Sequence, residues 1–226
     1  MKIFFLTNFS VSLPAVEFVN ANHNRERSST MKQLLLGSIV GAIILFVWSF
    51  LAWVILPMHT STMHPIPNED AVRAFLKSQL PLPNSAVYTF PHNPEDKNDQ
   101  AAMNVAMEKW RQGPLGMIFF DPQGADPMMP SQMVVGFIID LVSCFLAAWF
   151  LTRSTAMTGS YINRVAFFGM LGIFVSVYNH LIAWNWMGFP ADFTRGLILD
   201  TILSWVLVGL GMAAIIKAPR QTVEAK

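Results

Sequence analysis

Residues 178–200, YNHLIAWNWMGFPADFTRGLILD, decide the fold. They hold the end of one apolar segment, a short turn (Asn185-Trp186-Met187-Gly188-Phe189-Pro190) and the start of the next segment. Two ionisable side chains, His180 and Asp200, sit inside sequence apolar enough to cross a lipid bilayer. His180 lies six residues inside Trp186, and Asp200 six inside Thr194. At a rise of about 1.5 Å per residue both are about 9 Å below their helix ends. A charge in hydrocarbon is costly and usually paired. The short turn makes the two helices antiparallel neighbours, so the reading expects His180 and Asp200 to meet, with Asn179 and Ser204 close by.

Working outward, four segments have the length and character of membrane spans: residues 34–56, 131–151, 165–184 and 196–216. The first has no charge over 23 residues and stops at Pro57; Asp140 breaks the second and Asp200 the fourth. Each is long enough for a helix across a roughly 30 Å hydrocarbon core. Only 13% of the 226 residues are charged, against roughly 25% for soluble domains. The formal net charge of +1 gives no argument for nucleic acid. One cysteine, Cys144, rules out an intrachain disulfide and a CxxC metal site.

Arg25, Arg27, Lys32, Arg153, Arg164, Lys217, Arg220 and Lys226 flank the spans on one side, and the opposite short turn offers only Arg195. The bias toward cytoplasmic Lys and Arg therefore puts both termini inside. Trp53, Trp184 and Trp186 fall near the outer ends of their spans, where interfacial anchors belong.

Each span carries small or polar residues at steps of three and four: Ser38, Ala42, Leu45, Ser49 and Ala52; Gly136, Asp140, Ser143 and Ala147; Gly169, Gly172, Ser176, Asn179 and Ala183; Gly196, Asp200, Ser204, Leu207 and Gly211. Small residues let helix backbones approach in lipid. The expectation is an all-α membrane protein, a four-transmembrane-helix bundle with these faces inward. Gly37 and Gly41 form a GxxxG spacing, which reads as a dimer contact or as chance in an apolar helix.

Residues 57–130 carry eight acidic against five basic side chains, which suits an external segment. Asn68-Glu69-Asp70 opens a helix that Pro81 stops. Residues 85–90 read as a strand, Asn98 or Asp99 starts a second helix ended by Gly113-Pro114, and residues 115–120 read as a second strand. The order is α-β-α-β, a small external α/β cap between spans one and two. Met103, Met107 and Trp110 are expected on one helix face.

Residues 1–30 hold a short basic-apolar start and could be a signal peptide ending at Val19-Asn20-Ala21. Cleavage there would leave Arg25, Arg27 and Lys32 outside, so a disordered leader, or translation that begins at Met31, fits better. Residues 217–226 read as a cytoplasmic tail.

Three chemistries present themselves. The intramembrane polar set Asp140, Asn179, His180, Asp200 and Ser204 reads as a proton or ion relay, or as a structural hydrogen bond that fixes helix register. Asp140 lies about 13–14 Å in from Ser131. Met58, His59, Met63 and His64 supply imidazole and thioether, donors suited to copper, and Met128, Met129 and Met133 could join them. Haem between His59 and His180 has less behind it. The sequence contains no GxSxG, Walker A, HExxH or dinucleotide fingerprint, which disfavours an enzyme.

The run Trp48-Ser49-Phe50-Leu51-Ala52-Trp53-Val54-Ile55-Leu56-Pro57-Met58-His59 resembles bacterial inner-membrane proteins of uncharacterised activity, as do Gly113-Pro114-Leu115-Gly116-Met117 and the region of His180. The resemblance implies a multi-pass inner-membrane location from Met31 on and brings no activity or site residue. These readings together favour a non-catalytic accessory or assembly component, in contact with the bilayer and with a membrane-protein partner or another copy of itself. The alternative is a small transporter or a metal-handling protein.

Overall fold

The computed structural model describes residues 13–126 and 129–217. Its elements run α1 (Leu13–Phe50), α2 (Glu69–Gln79), β1 (Ala86–Phe90), α3 (Gln100–Gln112), β2 (Gly116–Phe120), α4 (Pro130–Thr152), α5 (Thr155–Thr158), α6 (Tyr161–Val175), α7 (Leu181–Met187) and α8 (Ala191–Ile215). A single π turn, Leu51–Ile55, extends α1, and another, Ser176–His180, joins α6 to α7. The protein is mostly helical, and four helical stretches are long and apolar enough to cross a membrane: Arg27–Ile55, Pro130–Thr152, Tyr161–Met187 and Ala191–Ile215.

All four expected spans are present, and three reach several residues further than expected. Polar residues taken for flanks belong to the helices. Arg164 is buried on α6, where its Nε donates to the Ala213 carbonyl at 3.0 Å and its Nη1 to the Thr158 carbonyl at 2.7 Å. The Tyr161 hydroxyl, one turn earlier, donates to the Leu210 carbonyl at 3.0 Å. Ala213 lies in the last turn of α8, where carbonyls have no partner in their own helix, and a guanidinium there also complements the helix dipole. The leader reading needs correction over its described part: residues 13–30 are helical and run into span one without a break, with Pro14 in the first turn, where proline is tolerated. Residues 1–12 and the tail beyond Lys217 lie outside the described residues.

Helix α1 packs along both α4 and α8, and α8 packs along α6, whereas α4 and α6 touch little. The apolar core therefore gathers around α1 and α8: Leu34, Leu45, Cys144, Ala147, Ala148, Leu151, Phe168, Val208, Met212 and Ile216. Glycines set the close approaches. A Cβ on Gly172 would lie 3.1 Å from Ile202 Cα and 3.2 Å from the Thr201 carbonyl, and one on Gly209 would lie 3.1 Å from the Val165 carbonyl. The GxxxG of span one is turned inward. Gly37 faces Ile216, and Gly41 faces Met212 and Cys144, so this face packs within the chain.

Three serines of the stripes bond to their own helices. Ser38 donates to the Leu34 carbonyl, Ser176 to that of Gly172 and Ser204 to that of Asp200, at 2.7, 2.8 and 2.7 Å. This satisfies the hydroxyl four residues back and leaves a small surface for the neighbouring helix. Ser49 and Asn179 depart from the expected stripes and are exposed. At Asn179 the cause is the π turn Ser176–His180, whose extra residue shifts the register so that His180 follows Ser176 on the inward side.

The cap has the expected α-β-α-β order. Strands β1 and β2 pair antiparallel, with Ala86 opposite Phe120 and Phe90 opposite Gly116. Asp99 caps α3, its Oδ1 accepting from Ala102 N–H at 2.9 Å. Asn68 precedes α2 at φ 55°, a left-handed conformation that asparagine tolerates better than most residues. Ala106 is buried on α3, while Met107 and Trp110 are exposed. At the end of β2 the Asp121 carboxyl is held below its usual range by the backbone N–H of Gln123 and the Ser85 side chain.

Candidate functional site: a buried histidine on the span-four aspartate

Span one ends where Leu56 takes an extended conformation before Pro57, as residues preceding proline do. The chain then folds back through a short turn, Thr60–Thr62. Both the backbone N–H and the hydroxyl of Thr62 donate to the His59 carbonyl, at 3.0 and 2.8 Å. This turn drives the His59 side chain inward to complete burial, 0% exposed. Its Nε2 lies 3.0 Å from Asp200 Oδ2. The other carboxylate oxygen accepts from the indole N–H of Trp48 at 2.6 Å. Ser204 Oγ lies 3.3 Å from that same oxygen while bonding more closely to the Asp200 carbonyl.

Trp53, carried by the π turn Leu51–Ile55, stacks on the imidazole with ring centroids 3.8 Å apart and planes 10° apart. Gly196, one turn before Asp200 on α8, sits against the same loop: a Cβ there would lie 3.2 Å from the Met58 carbonyl. The site therefore joins three parts of the chain: the end of span one, the loop after it and the first half of span four.

An ionised carboxylate only accepts, and an indole N–H only donates. With Asp200 ionised, His59 Nε2 is the donor that satisfies Oδ2. The other ring nitrogen, Nδ1, is buried with no hydrogen-bond partner among the described residues. The Ser204 hydroxyl lies on the carboxylate, and among the described residues no hydroxyl bonds to the imidazole. What this geometry does is fasten the loop to span four.

The expected contact between His180 and Asp200 does not form. His180 Nε2 bonds to Thr201 Oγ1 at 2.8 Å, one residue beyond Asp200 on α8. Successive helix residues diverge by about 100°, so that single step sends His180 and His59 to different sides of α8. Asn179 is exposed and joins neither group. Asp140 is half-buried on α4 and takes no hydrogen bond among the described residues. Ser204 is the one further member of the intramembrane set to reach Asp200.

The copper reading grouped Met58, His59, Met63 and His64. The structure turns His59 inward and leaves Met63 and His64 exposed, with Met58 half-buried. Met128 lies outside the described residues. Among the described residues no group of three or more His, Cys, Asp and Glu is placed to hold a metal ion. Sequence reasoning missed Trp48 as a ligand of Asp200 and took Trp53 for an interfacial anchor. Depth could have found Trp48: it lies eight residues before Leu56, about 12 Å in, close to the depth of Asp200. No family model matches the chain, and no curated protein or solved structure shows significant similarity to it.

Proposed function

We propose that this protein is a multi-pass component of the bacterial inner membrane, with both termini in the cytoplasm and the cap outside. Its role is that of a non-catalytic accessory or assembly subunit of another membrane protein, with the four spans closed as a helix bundle in lipid. The observation that carries this reading is helix α2. It is strongly amphipathic, yet none of its residues is buried. Val72, Phe75 and Leu76 share one face, and Phe75 is 63% exposed. An amphipathic helix is normally stabilised by covering that face.

The opposite face bears Glu69, Asp70, Arg73 and Lys77, two charges of each sign. Helices that lie on anionic bilayers are rich in Lys and Arg on the polar side. A balanced face suits a protein partner that receives the helix in an apolar groove. The transport alternative joins His180 to Asp200, and the metal alternative groups Met58, His59, Met63 and His64; in the structure His180 bonds to Thr201 and His59 to Asp200.

A photocrosslinker at Phe75 in native membranes is expected to trap one discrete second polypeptide, and a crosslinker at Lys77, on the far face, to trap none. Lipid adducts alone at Phe75 would refute the partner role, and an adduct to a second copy of the chain would replace it with self-association. Sidedness has its own test. Reporter fusions at Ala156 and Ala218 should be active only as cytoplasmic reporters, and one at Asn98 only as an external reporter. An external signal at Ala156 would overturn the topology.

A further inference from the structure

Between the cap sheet and the turn joining spans three and four lies a cleft of about 810 Å³, within the roughly 300–1,000 Å³ of small-molecule sites. Six aromatic side chains line it: Phe90, Trp110 and Phe119 from the cap, and Trp186, Phe189 and Phe193 from the turn and the start of α8. Phe119 is 71% exposed and Trp186 78%, so both walls offer large apolar rings that none of the described residues covers. Helix α7 ends at Met187, where Gly188 takes the left-handed conformation (φ 71°) and Phe189 N–H returns to the Ala183 carbonyl. This cap fixes the turn that forms one wall. Because Tyr161–Met187 and Ala191–Ile215 are membrane-spanning by length and composition, the turn between them lies at the membrane–water boundary.

Among the described residues the lining contains no Asp, Glu, Lys or Arg. A phosphate or carboxylate would find no counter-charge there, and an ammonium would find no carboxylate. The polar groups are the amides of Asn93 and Asn185, the Thr89 hydroxyl and the His92 imidazole, with Thr89 Oγ1 and His92 Nδ1 3.5 Å apart. Apolar walls with a few convergent hydrogen-bonding groups are the usual make-up of a site for an apolar ligand with one polar end. We propose that this cleft binds an uncharged amphiphilic lipid entering from the bilayer, with its hydrocarbon chain between Phe119 and Trp186 and its neutral head on Asn93 and Asn185. The proposal does not depend on the accessory role, which rests on α2.

The test uses the full chain in phosphatidylcholine nanodiscs, with dibrominated monooleoylglycerol as the neutral probe and dibrominated oleate as its anionic counterpart. Bromine quenches tryptophan on contact, and Trp110 and Trp186 line the cleft. The neutral probe should give saturable quenching that disappears in the Trp110→Phe/Trp186→Phe variant. Oleate should bind at least tenfold more weakly. Met117→Arg, which places a cation in the lining, should weaken the neutral probe at least tenfold and strengthen oleate, a gain that a misfolded protein would not show. Quenching that rises linearly with the neutral probe, alike in wild type and Met117→Arg, would mean bulk partition and overturn the proposal, as would equal affinity for the two probes in wild type. Should Met117→Arg fail to fold, a diazirine-bearing monoacylglycerol on the wild-type chain decides. Adducts on Phe119 or Met187 support the site, and adducts confined to the outer faces of α1 and α4 overturn it.

Discussion

Asp200→Ala is expected to lower the free energy of unfolding in detergent by about 2–3 kcal/mol, more than the loss of any other polar side chain within the spans. Measured hydrogen bonds inside membranes average only about 0.6 kcal/mol and reach about 1.7, because the separated helices also find partners. Asp200 is different in serving the Trp48 indole, the His59 imidazole and, more distantly, the Ser204 hydroxyl. Its removal strands the N–H donors of fully buried His59 and half-buried Trp48 at once, and a stranded buried group costs about 1–3 kcal/mol. His59→Ala should cost about 2 kcal/mol, because it leaves one carboxylate oxygen without a donor and removes the ring stacked on Trp53. His180→Ala should cost about 0.6 kcal/mol, the worth of one ordinary intramembrane hydrogen bond. Asp200→Asn should be mild, since the amide oxygen still accepts from Trp48 and the imidazole can move its proton to Nδ1 and accept from the amide. Titration with denaturing detergent, followed by far-UV circular dichroism, ranks the variants. A His180→Ala loss larger than that of Asp200→Ala would refute this account of the site. The His59→Ala/Asp200→Ala double mutant should cost less than the sum of the singles, as it must if the two side chains bond to each other.

Sequence alone pairs Asp200 with His180, whereas the structure pairs it with His59, and the reason is local. Periodicity gave Asp200 an inward face, and it gave His180 its neighbour, α8. It could not decide between Asp200 and Thr201, because the π turn Ser176–His180 adds a residue that no hydropathy pattern signals. The other half of the site depends on a loop. His59 follows Pro57, outside the expected span, and a reading of the loop by composition makes Met and His look like a metal set. Only the fold-back held by Thr62 on the His59 carbonyl carries the imidazole inward. By contrast, the cap order and the Asp99 cap were legible, because the turn and capping residues at Asp99 and Gly113-Pro114 act through near neighbours in sequence. The exposed apolar face of α2 follows from its sequence as well. That none of the described residues covers it is tertiary information, and so is the cleft between β2 and the turn after α7.

The GxxxG of span one allows a sharper separation of sequence reading from structure. If Gly37 and Gly41 formed a dimer seam, Gly41→Leu would change the oligomeric state and leave the fold intact. In the structure Gly41 lies where α1 meets both α4 and α8: even a Cβ there would come within 2.6 Å of Met212 Sδ and 2.8 Å of Cys144 Sγ. Met212 and Cys144 are themselves fully buried, so neither has free space to yield into. A leucine adds three further carbons to that clash. Overpacking of a filled core costs about 1–3 kcal/mol and occasionally more, and the upper end applies because three spans meet at this point. Gly41→Leu should therefore lower the unfolding free energy by about 3 kcal/mol with no change in the oligomeric state of whatever remains folded. Gly41→Ala should cost less, because it brings one carbon into the clash where leucine brings four, and Gly41→Ala combined with Met212→Val should recover stability relative to Gly41→Ala alone. Sedimentation in detergent alongside the unfolding titration distinguishes the two accounts. A Gly41→Leu protein of wild-type stability and altered mass would return this face to a dimer interface.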